Sequence, residues 1–530
     1  LVVRTAAVRN MHDLALLLGM GADAVAPYLL WETAASEAPA SLSEMESRVE
    51  HTLGALTKGM EKVISTMGIH ELRGYGRLFA AIGLSTPLAE AMEARNYYGS
   101  AARGLTWQDL GAESARRAAL LRGQAAAEPQ RARHFYPSVW KKAAEVALDP
   151  AHYEDYGAAV GALEATDPVS ARHLLDLRLG DRASSPPPAD TTILEHSLPI
   201  FFSAMSFGSQ GETAFRAYAE AAKRLNIVCL NGEGGEIPDM VGHYSHWRSQ
   251  QIASGRFGVS ATLLNSTLLL EIKIGQGAKP GEGGHLPGRK VSAKVAAARH
   301  TSPGTELISP SNNHDLYSIE DLAELVEELK TVNPWARVSV KVPVVPGIGV
   351  VAVGIAKAGA DIINLSGYDG GTGAARRHAT RHVGLPTKIG VMEAHRALSA
   401  AGLRRRVEVW CEGGMKTAAD VVKMICLGAN RVGFGTLAMI AVGCTVCRRC
   451  HQDMCHAGIA TQVENAEEAA RLGIRNFHPL DLETSIQRLT NFFGALGSEV
   501  AALTADLGAA RTQDLVGQTH LLTQVRGLDQ

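Results

Sequence analysis

From about residue 199 the chain repeats one unit: an apolar strand, a glycine-rich loop, then in most cases a helix. This repetition limits the fold more than any other feature, because parallel strands joined by helices have few closed arrangements. PIFFSAMSFG reads as the first strand and ETAFRAYAEAAKRL as its helix. IVCLNG, LLLEIKIG and ELISP read as strands two to four, followed by the helix of SIEDLAELVEELK. VSVKVPV, DIINLSG, VEVWCEGG and RVGFGT complete eight. Eight apolar strands with helical connections predict an α/β fold, a (β/α)8 barrel over residues 199–475. An open doubly wound sheet shares the alternation but seldom carries eight strands at this spacing. Ser318 with Asp321, and Thr417 with Asp420, predict capping boxes on two helices, and Gly428 ends the second.

The remaining segments read more loosely. Residues 1–130 are expected to be helices with one strand-like run. Their GMGADA superficially matches a dinucleotide fingerprint, but it follows a helix and enters a strand, the reverse of the required order. Residues 131–198 read as a lead-in with the proline-rich surface linker RASSPPPAD. Residues 476–530 read as a helical, amphipathic extension for packing or subunit contact, and an oligomer is expected. The chain opens on Leu1, which reads as a fragment or a processed product.

With 530 residues and a formal charge of -2, nothing points to nucleic acid or a charged membrane surface as partner. The most apolar stretch, VSVKVPVVPGIGVVAVGIAKAGA, is broken by Lys341, Pro343 and Pro346, so no membrane span is expected there. LVVRTAAVRNMHD has no cleavable apolar core, and a cytoplasmic location is expected. The 54 glycines suit tight loops that approach a phosphorylated ligand.

In a barrel the site lies at the C-terminal ends of the strands. The seventh strand ends in Glu412, Gly413 and Gly414, and the eighth in Gly435 and Thr436. Glycines there let backbone N–H groups reach a phosphate. The sixth ends in SGYDGGTGA, where Ser366, Gly367, Gly371 and Thr372 form another close-approach loop. EIKIGQGAKPGEGGHLPG, read as the end of the third strand, places Lys273, Gln276 and Lys279 at the mouth. Lysine there stabilises anionic charge on a cofactor or a carboxylate. Arg299 on the next helical run is suited to clamp a carboxylate bidentately. Glu233 and Glu236 in NGEGGE, taken singly, read as surface acids.

Of seven cysteines, Cys229, Cys411 and Cys426 sit in apolar runs as small buried hydrophobes. Cys444, Cys447, Cys450 and Cys455 crowd into GCTVCRRCHQDMCHAGIATQ after the eighth strand. Without an export signal, metal or redox chemistry is expected in place of disulfides. Three thiolates at such spacing can ligate iron or zinc, and zinc would take Cys447 or a histidine as a fourth ligand.

Together these residues resemble the synthase portion of the glutamate synthase large subunit. The resemblance runs from MHDLALLLGMGADAVAPYL nearly to the C-terminus. It is carried by SAMSFGS, NGEGGE, ASGRFGVSATLLN, EIKIGQGAKPGEGG, LISP, SIEDLAELV, SGYDGGTGA, EGGMKT and GFGT. A Cys-x5-Cys-x4-Cys spacing, filled by Cys444, Cys450 and Cys455, adds to it. The resemblance implies that residues 1–130 are the C-terminal part of a central-like domain and that the barrel binds FMN. It implies a [3Fe–4S] cluster on Cys444, Cys450 and Cys455, with Cys447 an extra thiol.

In the implied reaction, ammonia condenses with 2-oxoglutarate and reduced FMN converts the 2-iminoglutarate to L-glutamate. Electrons would arrive through the cluster from ferredoxin or from an NADPH-oxidising iron–sulfur flavoprotein subunit. No strand-turn-helix glycine fingerprint occurs, so NADPH is not expected to reduce the chain directly. On this resemblance Lys273, Lys279 and Glu233 would be catalytic, and Gln276, Lys279 and Arg299 would bind substrate. Met205, Ser206, Lys273 and Gln276 would hold FMN from one side of the mouth. Ser366, Gly367, Gly371 and Thr372 would hold it from the sixth strand, and Gly413, Gly414, Gly435 and Thr436 from the last two.

The family's N-terminal amidotransferase cysteine and its C-terminal β-helix have no counterpart in these residues, so glutamine hydrolysis is expected on a separate chain or domain. His285 stands where the family usually has glutamine, Asn312 and Asn313 replace part of a Pro/His-rich run, and Glu412 replaces an aspartate. ARRHATRH is also more basic than usual. These departures bear on the oxo acid and not on flavin binding. The alternatives are a related amine-forming enzyme such as N-methylglutamate synthase, which keeps FMN and the cluster, and a non-catalytic electron-relay subunit that holds the cofactors without substrate chemistry, which the substitutions at His285, Asn312 and Asn313 would suit.

Overall fold

The apolar runs from residue 199 onward close on themselves into one barrel of eight parallel strands, as seen in a computed structural model of the chain. The strands are β1 (Ile200–Met205), β2 (Val228–Asn231), β3 (Arg248–Ile252), β4 (Leu269–Lys273), β5 (Arg337–Pro343), β6 (Ile362–Ser366), β7 (Glu408–Glu412) and β8 (Arg431–Phe434). Each pairs with the next in sequence, and β8 closes on β1 through Gly433 opposite Phe201. The structure describes all residues except 9, 37–40, 68, 75–79, 98–99, 101–103, 125–136, 167–173, 180–186, 278–283, 311–312, 371–383 and 526–530. The side chains of 62, 63, 65–67, 121, 137, 138 and 166 are likewise not described.

The chain divides into two compact units, one holding Leu1–Glu128 and the other Pro129–Arg376 with Val383–Leu528. The first contains helices Met11–Gly19, Tyr28–Ser36, Leu42–Met67, Thr86–Ala91 and Trp107–Leu121. It has four short strands where one strand-like run was expected: Val2–Arg4 pairs with Ala24–Ala26, and Ala80–Ile82 with Arg95–Tyr97. Three-residue strands are too short for an alternation to show in sequence.

The larger unit carries helices α1 (Pro137–Leu148), α2 (Tyr153–Thr166), α3 (Glu212–Leu225), α4 (Ala293–Arg299), α5 (Ile319–Val332), α6 (Ile348–Lys357), α7 (Thr387–Ala400), α8 (Ala418–Leu427) and α9 (Leu482–Asp506). The segment expected to be a loose lead-in thus forms two helices, and Tyr153 and Tyr156 of α2 stack on Phe492 of α9 at 6.1 and 5.3 Å. The linker RASSPPPAD is described only over 187–190. On α9, Ile486, Leu489, Phe493, Leu496 and Val500 are buried at helical spacing. Phe493 packs on Phe202 of β1 at 4.9 Å and on Phe434 of β8 at 5.4 Å, so this helix seals the barrel's outer wall. The helical reading fails beyond α9, where Leu522–Gln524 forms a strand antiparallel to Leu175–Leu177. Among the described residues no helix is long and apolar enough to cross a membrane.

Period-2 alternation stacks the barrel interior in layers. Phe201, Leu230, Leu269, Ile362 and Trp410 make an apolar floor. Two positions further along its strand, Glu271 accepts from Gln251 at 2.7 Å, Asn364 at 2.8 Å and Ser339 at 3.1 Å. Two further still, Lys273, Lys341, Ser366 and Glu412 reach the mouth.

One strand assignment needs correction. ELISP is not a barrel strand: Leu307–Ser309 pairs antiparallel with Gly284–Leu286 outside the barrel. The third strand is Arg248–Ile252, whose RSQQI carries no apolar run. It is nevertheless buried throughout. Arg248 pairs with Glu236 and donates to Cys229 Sγ at 3.3 Å, and Gln250 Nε2 donates to Glu236 at 3.1 Å. Buried polar groups are tolerated where they are hydrogen-bonded. LLLEIKIG is therefore the fourth strand.

Both expected capping boxes are present, Ser318 with Asp321 on α5 and Thr417 with Asp420 on α8, and Gly428 closes α8 at φ 124°. Thr417→Ala removes the acceptor for the Asp420 N–H and is expected to destabilise the barrel unit by about 1 kcal/mol. A lowered urea midpoint with unchanged slope, restored in Thr417→Ser, is the expected measurement.

Candidate active site at the barrel mouth

The C-terminal strand ends surround one cleft of about 1430 Å3, counting its open mouth. Of the residues singled out from sequence, Met205, Ser206, Glu233, Gln276, Arg299 and Ser366 line it. Gly413, Gly414, Gly435, Thr436 and Cys450 line it as well. Lys279, Gly371 and Thr372 lie outside the described residues, as does Asn312.

Two buried ion pairs meet the cleft. Lys273 Nζ donates to Glu233 Oε1 at 2.8 Å, and Ser309 Oγ donates to Glu233 Oε2 at 2.6 Å. Burial alone would raise the Glu233 carboxyl, but Lys273, Ser309 and Arg299 together hold it below the usual range. Glu233 is thus no surface acid, and neither is Glu236, paired with Arg248. The diverted Leu307–Ser309 strand is what delivers Ser309 to this pair.

The second pair joins Lys341 Nζ to Glu412 Oε1 at 2.6 Å, with Ser366 Oγ donating to the same oxygen at 2.8 Å. Burial raises Glu412, but Lys341 and Ser366 outweigh it and the carboxyl lies below its ordinary value. Burial lowers Lys341, but Glu412 and Glu271 outweigh that and keep the ammonium charged. Sequence reasoning missed Lys341, because an alternating strand residue in VSVKVPV reads as an interruption until its partner on β7 is known. Lys290 was also missed: its Nζ donates to the carbonyls of Ser209, Cys450 and Ala460 at 3.0, 3.1 and 2.9 Å.

Arg299 on α4 is 5% exposed. Its Nη2 donates to the Phe207 carbonyl at 2.8 Å, so the fork assigned to a carboxylate is partly committed to the backbone. Its Nε is buried without a partner among the described residues, and burial lowers the guanidinium to about 10.

The glycines divide by cause. Gly413 has φ 139°, and a Cβ on it would lie 2.5 Å from Thr387 Oγ1, so packing alone requires glycine there. A Cβ on Gly435 would meet only Ser203, at 3.5 Å and beyond. Protein packing leaves the space beside Gly435 open, where a ligand backbone or phosphate can approach.

The cysteine loop forms one wall of the cleft through Cys450 and His451. Cys455 is buried, Cys444 and Cys450 are partly buried, and Cys447 is exposed. Burial pushes the Cys444 thiol up to about 12 and raises Cys450 as well. The Val446 N–H donates to Cys444 Sγ at 3.4 Å, and Val446, Arg448 and Asp453 all adopt left-handed φ of 55°, 58° and 55°. Such turns aim backbone N–H groups at anions and at iron–sulfur centres. Among the described residues no group of three or more His, Cys, Asp or Glu side chains converges on the position of a single metal ion. A cluster places a different requirement, one thiolate on each iron.

A closed parallel barrel with charged pairs and a cysteine-walled cleft at its C-terminal mouth defines a (β/α)8 enzyme scaffold. Residues 151–510 match the conserved region in glutamate synthase, and residues 1–85 match the glutamate synthase central domain. The chain is 36% identical over 548 residues to the NADPH glutamate synthase large chain of Bacillus subtilis (strain 168), covering 98% of this chain and 35% of that one. It is 37% identical over 578 residues to the chloroplastic ferredoxin-dependent glutamate synthase of Spinacia oleracea, covering 98% of this chain and 34% of that one. Among solved structures, the flavin-binding domain of baker's yeast flavocytochrome b2 is similar at a TM-score of 0.42 and 14% identity, over 79% of this chain and 92% of that one. This chain belongs to the glutamate synthase family. It spans about a third of the length of the curated relatives it matches.

Proposed function

We propose that the barrel mouth reduces 2-iminoglutarate, formed from 2-oxoglutarate and ammonia, to L-glutamate. The observation that supports this reading best is that one cleft is lined by Glu233, which Lys273 pairs with, by the Lys341–Glu412 pair, and by Arg299 and Cys450. FMN, when bound, supplies the hydride. Gly413, Gly414, Gly435 and Thr436 would take its phosphate at the ends of β7 and β8. Met205, Ser206, Lys273, Gln276, Ser366 and Gly367, with Gly371 and Thr372, remain in the proposed cofactor set, and Lys341 joins it as a buried cation.

Arg299 Nε and Gln276, with Lys279, would bind the dicarboxylate. Glu233, held as a carboxylate, orients the Lys273 ammonium as a proton donor beside the reacting carbon and nitrogen. The buried mouth limits water while an imine is present. Cys444, Cys450 and Cys455 would each ligate one iron of a [3Fe–4S] centre, whose charge would hold as thiolates groups that burial alone keeps protonated. Ferredoxin or an NADPH-oxidising iron–sulfur flavoprotein would deliver the electrons, and glutamine would be hydrolysed on a separate chain or domain.

Anaerobically prepared protein containing FMN, given reduced donor, ammonium and 2-oxoglutarate, is expected to form L-glutamate. A panel of amines and oxo acids run alongside is expected to favour this pair. Turnover of another amine only, or none from a flavin-loaded and iron-loaded protein with its partners present, overturns the reading.

A further inference from the structure

We propose that Lys290 is a positioning residue for electron transfer at the barrel mouth. Its one ammonium ties the cysteine loop to the turn after β1, and so fixes the iron–sulfur centre on Cys444, Cys450 and Cys455 relative to the flavin. The inference rests on the cofactor reading above and adds to it a side chain from outside the cysteine loop.

Lys290 closes the short turn Gly288–Lys290 and is 2% exposed. Its base is rigid: its N–H donates to the Pro287 carbonyl at 2.9 Å, and Leu286 and Val291 are buried in one apolar cluster with Phe207. From there Nζ donates to three carbonyls on separate stretches of chain, Ser209 at 3.0 Å, Cys450 at 3.1 Å and Ala460 at 2.9 Å. All three N–H groups of a lysine ammonium are thereby used. Asn and Gln carry two donors on one nitrogen, and Arg spreads its donors over a planar fork. Only lysine joins three backbone segments at a single atom.

Each segment leads to a cofactor residue. The Ser209 hydroxyl donates to the Ser206 carbonyl at 2.7 Å, and the Gln210 N–H donates to the same oxygen at 3.0 Å. Ser206 belongs to the proposed flavin set, so the first bond ends one tight turn away from it. The second falls on the carbonyl of Cys450, a proposed iron ligand. The third holds Ala460, on the limb of the loop that follows Cys455. That limb has its own ties to the β1 turn. The Gly211 N–H donates to the Ile459 carbonyl at 2.7 Å, and Gln462 Nε2 donates to the Gly208 and Gln210 carbonyls, each at 3.1 Å. Among the described residues no hydrogen bond runs directly from Cys450 to the β1 turn. Apart from Lys290, its neighbourhood is held from this side by exposed Arg289, whose Nη2 donates to the His451 carbonyl at 2.7 Å.

The consequence of removing Lys290 is therefore local. The downstream limb stays joined to the β1 turn through Ile459 and Gln462. The loop itself stays closed, because Asp453 accepts from Thr461 Oγ1 and from the Gln462 N–H, both at 3.2 Å. The Cys450 edge keeps the Arg289 bond, which water at an exposed site replaces with little net loss. The cysteines that would hold iron remain, but the part of the cleft wall formed by Cys450 and His451 is free to draw back. Electron transfer slows as its two centres separate, so the loss falls on that step and not on the chemistry at the flavin.

The test is Lys290→Met in the full chain, prepared anaerobically, with iron, sulfide and FMN contents measured. A laser flash with deazaflavin and EDTA delivers one electron to the protein, and its redistribution between FMN and the centre is followed by absorbance. This first-order step is expected to be slower than in the wild type, while iron, sulfide, FMN and the thermal midpoint stay the same. Amide hydrogen exchange is expected to quicken over 444–453 and to stay near the wild-type rate over 206–211 and 459–462. A merely structural role would lower the thermal midpoint and leave the redistribution rate unmoved. An unchanged rate with both cofactors bound overturns the proposal and spares the cofactor reading. Equal slowing in Arg289→Ala also overturns it, by placing the hold at the surface. If Lys290→Met loses its centre, hydrogen exchange of the cofactor-free chains decides, and unchanged protection over 444–453 overturns the proposal. A wild type with no three-iron signal overturns the cofactor reading and this inference together.

Discussion

Serine at Cys444, Cys450 or Cys455 is expected to abolish the low-temperature EPR signal of an oxidised three-iron centre and to block reduction of bound FMN by the physiological donor. Serine at Cys447 is expected to preserve both. The difference follows from how the loop turns. Val446 and Arg448, the two neighbours of Cys447, both hold left-handed φ, and Cys447 between them is exposed. A β-branched valine adopts that conformation only when its surroundings impose it. Cys455 is 5% exposed, and burial raises the Cys444 and Cys450 thiols, so these three share an enclosed setting that Cys447 lacks. Iron and sulfide analysis alongside EPR separates the outcomes. Loss of the centre in Cys447→Ser would point to four ligands, and zinc without iron in the wild type would remove the cluster from the mechanism altogether.

Lys341→Met is expected to destabilise the barrel unit by about 3–5 kcal/mol at neutral pH and to empty it of FMN. The side chain is 5% exposed and its ammonium lies 2.6 Å from Glu412. Removing it leaves a buried carboxylate with Ser366 as its main remaining donor and Glu271 in the layer below. The pH dependence has a definite sign. In the wild type the folded Glu412 carboxyl lies below its ordinary value of 4.5, so its contribution is complete above about pH 4.5 and is lost as pH falls through the folded value. In Lys341→Met the burial effect is no longer opposed by the lysine, and the folded carboxyl moves above the unfolded one. The deficit is then largest at neutral pH and shrinks as acid neutralises Glu412. Urea midpoints of both proteins between pH 4.5 and 8 measure this. Lys341→Met/Glu412→Gln is expected to recover most of the stability, because no unpaired charge remains, while flavin content stays low. Equal deficits at all pH values would show that packing of the lysine stem, not its charge, dominates.

Both expectations concern residues that the primary structure treated unequally. The spacing Cys-x5-Cys-x4-Cys can be read directly, and so can the lysines around EIKIGQGAKPGEGG, because chemistry-bearing residues there stand close along the chain. Lys341 cannot be read this way. It lies in an alternating strand, and its partner Glu412 comes from β7, two strands further round the barrel. Glu233 and Glu236 failed for the same reason: each is defined by a cation on another element, Lys273 on β4 and Arg248 on β3. Gly413 shows the opposite case, a glycine read as a ligand approach that Thr387 on α7 already requires.

What the amino-acid order determined by itself was local and periodic. Apolar alternation marked seven of the eight barrel strands, and the boxes at Ser318 and Thr417 set helix starts, because caps and pleats depend on residues two to four positions apart. The tertiary structure alone decided the rest. RSQQI becomes β3 because Glu236, Asn231 and Glu271, arriving from neighbouring elements, pair with its Arg248, Gln250 and Gln251 in the interior. ELISP, more apolar, is left outside the barrel because a closed ring of eight has no ninth place, and it supplies Ser309 to Glu233 instead. Burial and pairing are properties of the assembled ring, so a residue's charge state and its partner come into being only when the ring closes.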